Sequence, residues 1–139
     1  VPWGGRAVVT ALTALFIEDD RMNRRVVRDM LDVAGVAMVE AESAELGLEL
    51  IDRGDFDVIL VDLRMPGMDG ITAIRHIRAR HDLKARLPII VVTADTAVDL
   101  RQRCLEAGAD DVIFKPVAMD ALFDSMGRLL ADGDDDELI

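Results

Sequence analysis

Five side chains able to do chemistry occupy equivalent places, each just past the end of a short apolar run. Glu18 and Asp19 follow the run at residues 13–17, Asp62 the run at 58–61, Thr93 the run at 89–92 and Lys115 the run at 112–114. An isolated Asp at such a place is ordinarily a turn or capping residue. Five polar groups at the same end of four runs instead describe one site. Three carboxylates in one crevice repel, and at 4 Å and an effective dielectric of 20 each pair costs about 4 kcal/mol. Lys115 offsets one charge, and a single divalent cation offsets the rest. Oxygen ligands with no His or Cys beside them specify a hard ion such as Mg²⁺.

The carboxylates then divide by role. Glu18 and Asp19 suit metal holding, directly or through water. Asp62 closes its run ahead of the turn Met65-Pro66-Gly67 and is the natural nucleophile, since a carboxylate can accept a phosphoryl group as an acyl phosphate. Thr93 can donate its hydroxyl to a phosphoryl oxygen and Lys115 can pair with another. The small Ala94 after Thr93 leaves access to the site.

The elements that must hold these residues follow from periodicity. Runs at 13–17, 36–39, 58–61, 89–92 and 112–114 are nearly continuous in apolar residues, as expected of strands covered on both faces. Between them lie segments of helical period. Met22, Val26, Met30 and Ala34 recur every four residues before Gly35, and Asp20 is expected to cap that helix. Ser43 caps a second helix carrying Leu46, Leu50 and Ile51, while Ile71, Ile74 and Ile77 mark a third. Thr96 with Asp99 suggests a capping box for a fourth, with Leu100, Cys104 and Ala107 inward, although Asp95 could be its cap instead. Met119, Leu122, Phe123, Met126, Leu129 and Leu130 form the stripe of a fifth. Asp110 and Asp111 are expected in a turn, Cys104 in the core, and His76 and His81 at the surface. Strand–helix alternation of this kind builds a doubly wound parallel α/β sheet, whose ligands bind beyond the carboxyl ends of the strands.

Composition narrows the function. The chain has 139 residues, one domain's worth, with 27 acidic and 16 basic side chains, a net charge of −11 and 51% hydrophobic residues. It can bury a core, and its acidity offers no electrostatic footprint for direct nucleic-acid binding. Tyr is absent and Trp3 and four Phe are the only aromatics, a poor base-stacking set. The single cysteine makes no internal disulfide, and no apolar run approaches the ~18 residues of a membrane span. Residues 7–17 run straight into Glu18-Asp19-Asp20 with no cleavage pattern, so they read as a buried strand and not as a leader.

The segments FIEDD, DVILVDLRMPGMDG, IIVVTAD and DVIFKP stand in this order, and over residues 12–131 the chain resembles the receiver domain of two-component response regulators. Residues 1–11 would then be an N-terminal extension and 132–139 an acidic tail. The resemblance implies a single doubly wound (βα)5 domain with five parallel strands in the flavodoxin-like order 2-1-3-4-5. It implies that Asp62 takes a phosphoryl group from a histidine kinase or histidine phosphotransfer protein. Mg²⁺ or Mn²⁺ would be held by Glu18, Asp19, Asp62 and the backbone carbonyl of Arg64. Thr93 and Lys115 match the family's switch hydroxyl and phosphate-binding lysine, and Pro116 the cis peptide beside it. Arg64 and Asp95 match the pair of positions that flank the phosphoryl group and tune its hydrolysis; they are expected to approach each other across the mouth.

Such a domain is a cytoplasmic signalling phosphoacceptor, not an enzyme. Phosphorylation would switch the face of the fourth helix, fifth strand and fifth helix, where a partner or a second copy binds. One departure stands out: Val112 occupies the place where many receivers carry a Tyr or Phe rotamer switch. For context, the receiver of a hybrid sensor histidine kinase is expected, with a stand-alone regulator as the alternative. A non-phosphorylated interaction module is disfavoured by the complete set of site residues. A haloacid dehalogenase-type hydrolase would need an Asp where this chain has Arg21.

Overall fold

The computed structural model describes residues 11–138, and the side chains of residues 11–131. Strands β1 (Thr13–Ile17), β2 (Ala37–Ala41), β3 (Val58–Val61), β4 (Ile89–Thr93) and β5 (Asp111–Phe114) pair in parallel in the order β2-β1-β3-β4-β5. Helices α1 (Arg21–Val33), α2 (Ala44–Arg53), α3 (Gly70–Arg78), α4 (Leu100–Ala107) and α5 (Met119–Leu138) connect them, with a 3₁₀ turn at Leu83–Arg86. This is the expected doubly wound sheet. Its strand order reverses between β1 and β3, and there a crevice opens at the carboxyl edge.

Burial explains why the strands read as unbroken apolar runs. Alternate residues feed two separate clusters. Leu15, Ile17, Ile59, Val61, Ile89, Val91 and Val112 pack with Ile51, Ile74, Ile77, Leu100 and Cys104 of α2, α3 and α4. Ala14, Phe16, Val58, Leu60, Ile90, Val92 and Ile113 pack with Val27, Leu31, Leu122 and Met126 of α1 and α5. With helices on both faces, β1 from Ala14, β3 and β4 stay apolar until the carboxyl end.

Local signals set most of the boundaries. Asp20 accepts from Met22 N at 2.8 Å and Asn23 N at 3.2 Å, capping α1, and Ser43 Oγ accepts from Leu46 N at 3.1 Å, capping α2. Gly35 ends α1 with φ +73°, a conformation only glycine adopts without strain. Cys104 is buried, and His76 and His81 are exposed.

Several expectations are corrected. On α1 the buried residues are Val27 and Leu31, while Met22 and Val26 are 68% and 41% exposed. A four-residue repeat drifts about 40° per step around a 3.6-residue helix, so that series leaves the buried face. Strand β2 lies further along than 36–39 because an edge strand tolerates Glu40, whose carboxylate meets Arg24 and Arg28. The capping box is absent: α4 begins at Leu100, so Asp99 itself takes the N-cap place, makes no side-chain cap bond, and pairs with Arg103 at 3.3 Å. Asp95 does not cap α4 either; it accepts from Ala97 N at 3.0 Å in the preceding turn. Asp111 is no turn residue. It opens β5 with its carboxylate buried, accepting from Ser125 Oγ at 2.6 Å, Arg128 at 2.8 Å and Arg101 at 3.2 Å. Residues 1–10 of the N-terminal extension fall outside the described residues. The backbone of α5 runs to Leu138, so no helix end marks residue 131.

The start of α3 is held tightly against the carboxyl end of β3. Gly70 N donates to Leu63 O at 2.9 Å, and a Cβ on Gly70 would collide with the Asp62 carbonyl oxygen and lie 2.8 Å from Leu63 Cα. Both obstacles are backbone, which cannot rotate aside. Gly70→Ala is therefore expected to lose about 1–3 kcal/mol of stability, seen as a lower urea midpoint at unchanged m-value.

Candidate functional site

Strand register brings the polar residues together. Ile17 pairs with Val61, so Glu18 and Asp62, the next residue on each strand, are neighbours. The ladder continues into the site: Glu18 N donates to Ala41 O at 2.9 Å, Asp62 N to Ile17 O at 2.9 Å and Lys115 N to Thr93 O at 2.8 Å. Thr93 pairs with Phe114, which sets Lys115 beside the end of β4. The Lys115–Pro116 peptide is cis.

Glu18, Asp19 and Asp62 each offer a carboxylate oxygen, all within 4.8 Å of one another, with Glu18 and Asp62 buried and Asp19 exposed. Lys115 Nζ donates to Glu18 Oε1 at 2.6 Å and stands 3.5 Å from Asp62 Oδ2. Asp62 Oδ1 accepts from Leu63 N at 2.8 Å, so its two oxygens have different partners. On the far side Thr93 Oγ1 accepts from Asp95 N at 3.2 Å, and Arg64 Nη2 donates to Asp95 Oδ2 at 2.9 Å. Asp62, Arg64, Thr93, Ala94, Asp95, Thr96 and Lys115 line a cleft of about 310 Å³. Every sequence-derived site residue thus lies at this edge except Val112. That residue is buried among Leu100, Cys104 and Ala107, one strand pleat below the exposed Phe114.

The electrostatics follow from crowding. Burial pushes the Glu18 carboxyl above its ordinary value, with Asp62 adding to the shift and Lys115 opposing it. Partial burial and then Glu18 raise the exposed Asp19 as well. Burial works against the Lys115 charge, but Glu18 and Asp62 outweigh it and hold the ammonium above its usual value. The Ala97 amide and the Arg64 guanidinium lower Asp95. Three carboxylates against one ammonium leave an all-oxygen corner short of positive charge, the donor chemistry of a hard divalent cation.

Two residues at this edge escaped sequence reasoning. Thr96, read as a cap, lines the cleft. Arg24 donates from Nη1 to the Glu18 carbonyl at 2.8 Å. With Arg21, Arg25 and Arg28 on the same helix, nothing in the one-dimensional pattern separates it from a solvated charge.

The sequence model of the response regulator receiver domain matches residues 14–126. The chain belongs to that family. Such receivers are signalling phosphoacceptors that bind Mg²⁺ in an acidic site. This one is homologous to the receivers of hybrid sensor kinases. It is 37% identical over 116 residues to the virulence sensor protein BvgS of Bordetella bronchiseptica, covering 81% of this chain and 9% of that protein. It is 36% identical over 108 residues to the sensor histidine kinase RcsC of Salmonella typhi, covering 78% of this chain and 11% of that one. The chain therefore spans about a tenth of the length of these relatives. Among solved structures it resembles the receiver domain of the sensor histidine kinase PA1611 from Pseudomonas aeruginosa, which holds a magnesium ion in its active-site cleft. The TM-score is 0.80 at 31% identity, over 88% of this chain and 99% of that one. The chemotaxis protein CheY4 of Vibrio cholerae matches with a TM-score of 0.79 at 25% identity, over 87% and 100%. Among the described residues no helix is long and apolar enough to cross a membrane.

The raised Asp19 value carries a sign that can be tested. A carboxyl whose folded value lies above its unfolded one weakens the fold as pH rises through that window. In metal-free buffer at pH 7, Asp19→Asn is expected to melt above wild type. The gain at this exposed position is under about 1 kcal/mol, and it closes as pH falls below the ordinary Asp value of 3.8. Calorimetric melts across pH check both.

Proposed function

We propose that Asp62 is the phosphoacceptor of this receiver, charged by a phosphohistidine of a histidine kinase or histidine phosphotransfer protein. One observation carries the reading. Lys115 Nζ bridges toward Glu18 and Asp62 on one side of a cleft whose other wall presents the Thr93 hydroxyl. A carboxylate oxygen of Asp62 attacks phosphorus; the P–O bond forms as the P–N bond breaks, and the electron pair leaves with the imidazole nitrogen. Glu18, Asp19, Asp62 and the Arg64 backbone carbonyl would hold Mg²⁺ (or Mn²⁺), which when bound neutralises charge on the phosphoryl oxygens. Lys115 pairs with one of those oxygens and the Thr93 hydroxyl donates to another. Ala94, with its small side chain, keeps the entrance open.

Arg64 and Asp95 tune dephosphorylation. Their ion pair lies across the cleft mouth, where it obstructs the water that would hydrolyse the acyl phosphate. The domain accepts and releases a phosphoryl group on itself and does not turn over a separate substrate. The output is the face of α4, β5 and α5, on which a partner or a phosphorylation-dependent second copy docks. Direct nucleic-acid contact is not part of this reading. With Val112 packed under α4, the change there is carried by backbone and helix packing instead of a swinging ring. The wider protein is read as a hybrid sensor histidine kinase with this receiver on its cytoplasmic side, a stand-alone regulator being the second option.

Incubation with acetyl phosphate and Mg²⁺, followed by intact-protein mass spectrometry, is expected to show one phosphoryl adduct. Asp62→Asn should abolish it and omission of the metal should suppress it. An absence of adduct with every donor would leave an interaction module, and steady turnover of small phosphate esters would mean an enzyme. Arg64→Ala is expected to shorten the adduct lifetime about fivefold, the rate equivalent of the ~1 kcal/mol that an exposed ion pair supplies. An unchanged lifetime measured by acid quench sinks that role.

A further inference from the structure

Arg24 joins three elements behind the acidic corner. It lies on the first turn of α1, its Nη1 donates to the backbone carbonyl of Glu18 at the end of β1, and its Nε donates to Glu40 of β2 at 2.7 Å. Its side chain is only 11% exposed. The other Glu40 oxygen accepts from Arg28 at 2.5 Å, so Glu40 is fixed between two guanidiniums. Those two cations hold its carboxyl below the ordinary value. The planar guanidinium addresses both acceptors at once, which a point charge on a flexible stem cannot do. It reaches the Glu18 peptide oxygen while its ion pair is with Glu40, and this leaves the Glu18 and Asp19 carboxylates grouped with that of Asp62.

We propose that Arg24 is a positioning residue for the acidic corner: braced by Glu40, it fixes the Glu18–Asp19 peptide so that both carboxylates aim at one cation. This rests on the phosphoacceptor reading above. A hydrogen bond one step behind a metal's ligands sets their direction, and its loss ordinarily costs about 10–100-fold in affinity. Pure charge predicts the opposite sign, because deleting a cation near an acidic site draws a divalent ion in more strongly. The two accounts therefore separate on direction.

The test measures Mg²⁺ affinity by isothermal titration calorimetry on the whole chain, with circular dichroism melts of each variant in metal-free buffer. Arg24→Ala is expected to raise the Kd about tenfold or more. Arg24→Lys, reaching one acceptor at a time, should fall between it and wild type. Arg28→Ala removes the same charge from Glu40 without touching Glu18, and it should leave the Kd unchanged or lower. If Arg24→Ala does not fold, Arg24→Lys, which keeps the charge and gives up one acceptor, carries the comparison and is expected to weaken binding. Affinity equal to or tighter than wild type in the Arg24 variants overturns the proposal, as does an equal loss in Arg28→Ala. A wild-type chain that binds no Mg²⁺ overturns the phosphoacceptor reading itself, and this assignment with it.

Discussion

Glu18 and Asp62 are neighbours because Ile17 pairs with Val61, and the whole carboxyl edge answers to those two buried carboxylates. In a parallel sheet covered on both faces, side chains escape the apolar interior only at a strand end. Two strands in register therefore deliver two acids to one place. The structure meets the repulsion with Lys115, delivered by β5 through the β4 pairing of Thr93 with Phe114. Asp19 adds a third carboxylate that remains in contact with water. Charge imbalance at this corner is a product of strand register, and strand register is a product of the two apolar clusters.

That dependence runs outward into the helices. Gly70 allows α3 to start directly against the Asp62 backbone. Arg24 ties α1 to the end of β1 and to β2. Asp111, at the other end of β5, gathers Arg101 from α4 with Ser125 and Arg128 from α5. The site is thus held by main-chain contacts on one side, and the face read as the output by a buried carboxylate on the other. No aromatic residue at position 112 links the two; Val112 simply fills the space under α4.

Strands, and the gathering of polar residues at their carboxyl ends, are legible in the chain because both obey strong one-dimensional rules. Runs buried on both faces have no polar interruptions, and polar groups then mark their ends. The approach of Arg64 to Asp95 also came through, since two loops leaving adjacent strands have little room to diverge. Helix faces were less legible: the Met22 series matched a repeat of four but lay beside the buried face of α1. Asp111 and Arg24 were invisible for a common reason. Each takes its meaning from partners on other elements, which the periodicity of a single element does not register. Thr96 was misread because the loop before α4 runs longer than a capping box allows.

The contact of Lys115 with Glu18 at 2.6 Å has a consequence for the order of events. One ammonium cannot fully serve both Glu18 and an arriving phosphoryl group. On the phosphoacceptor reading, a cation held by Glu18 would compete with the lysine for that carboxylate and would free the ammonium for the phosphoryl group. A phosphodonor reaching the cleft first would find the lysine engaged. On that reading the pair would work as a coincidence requirement, passing a signal only when ion and donor are present together.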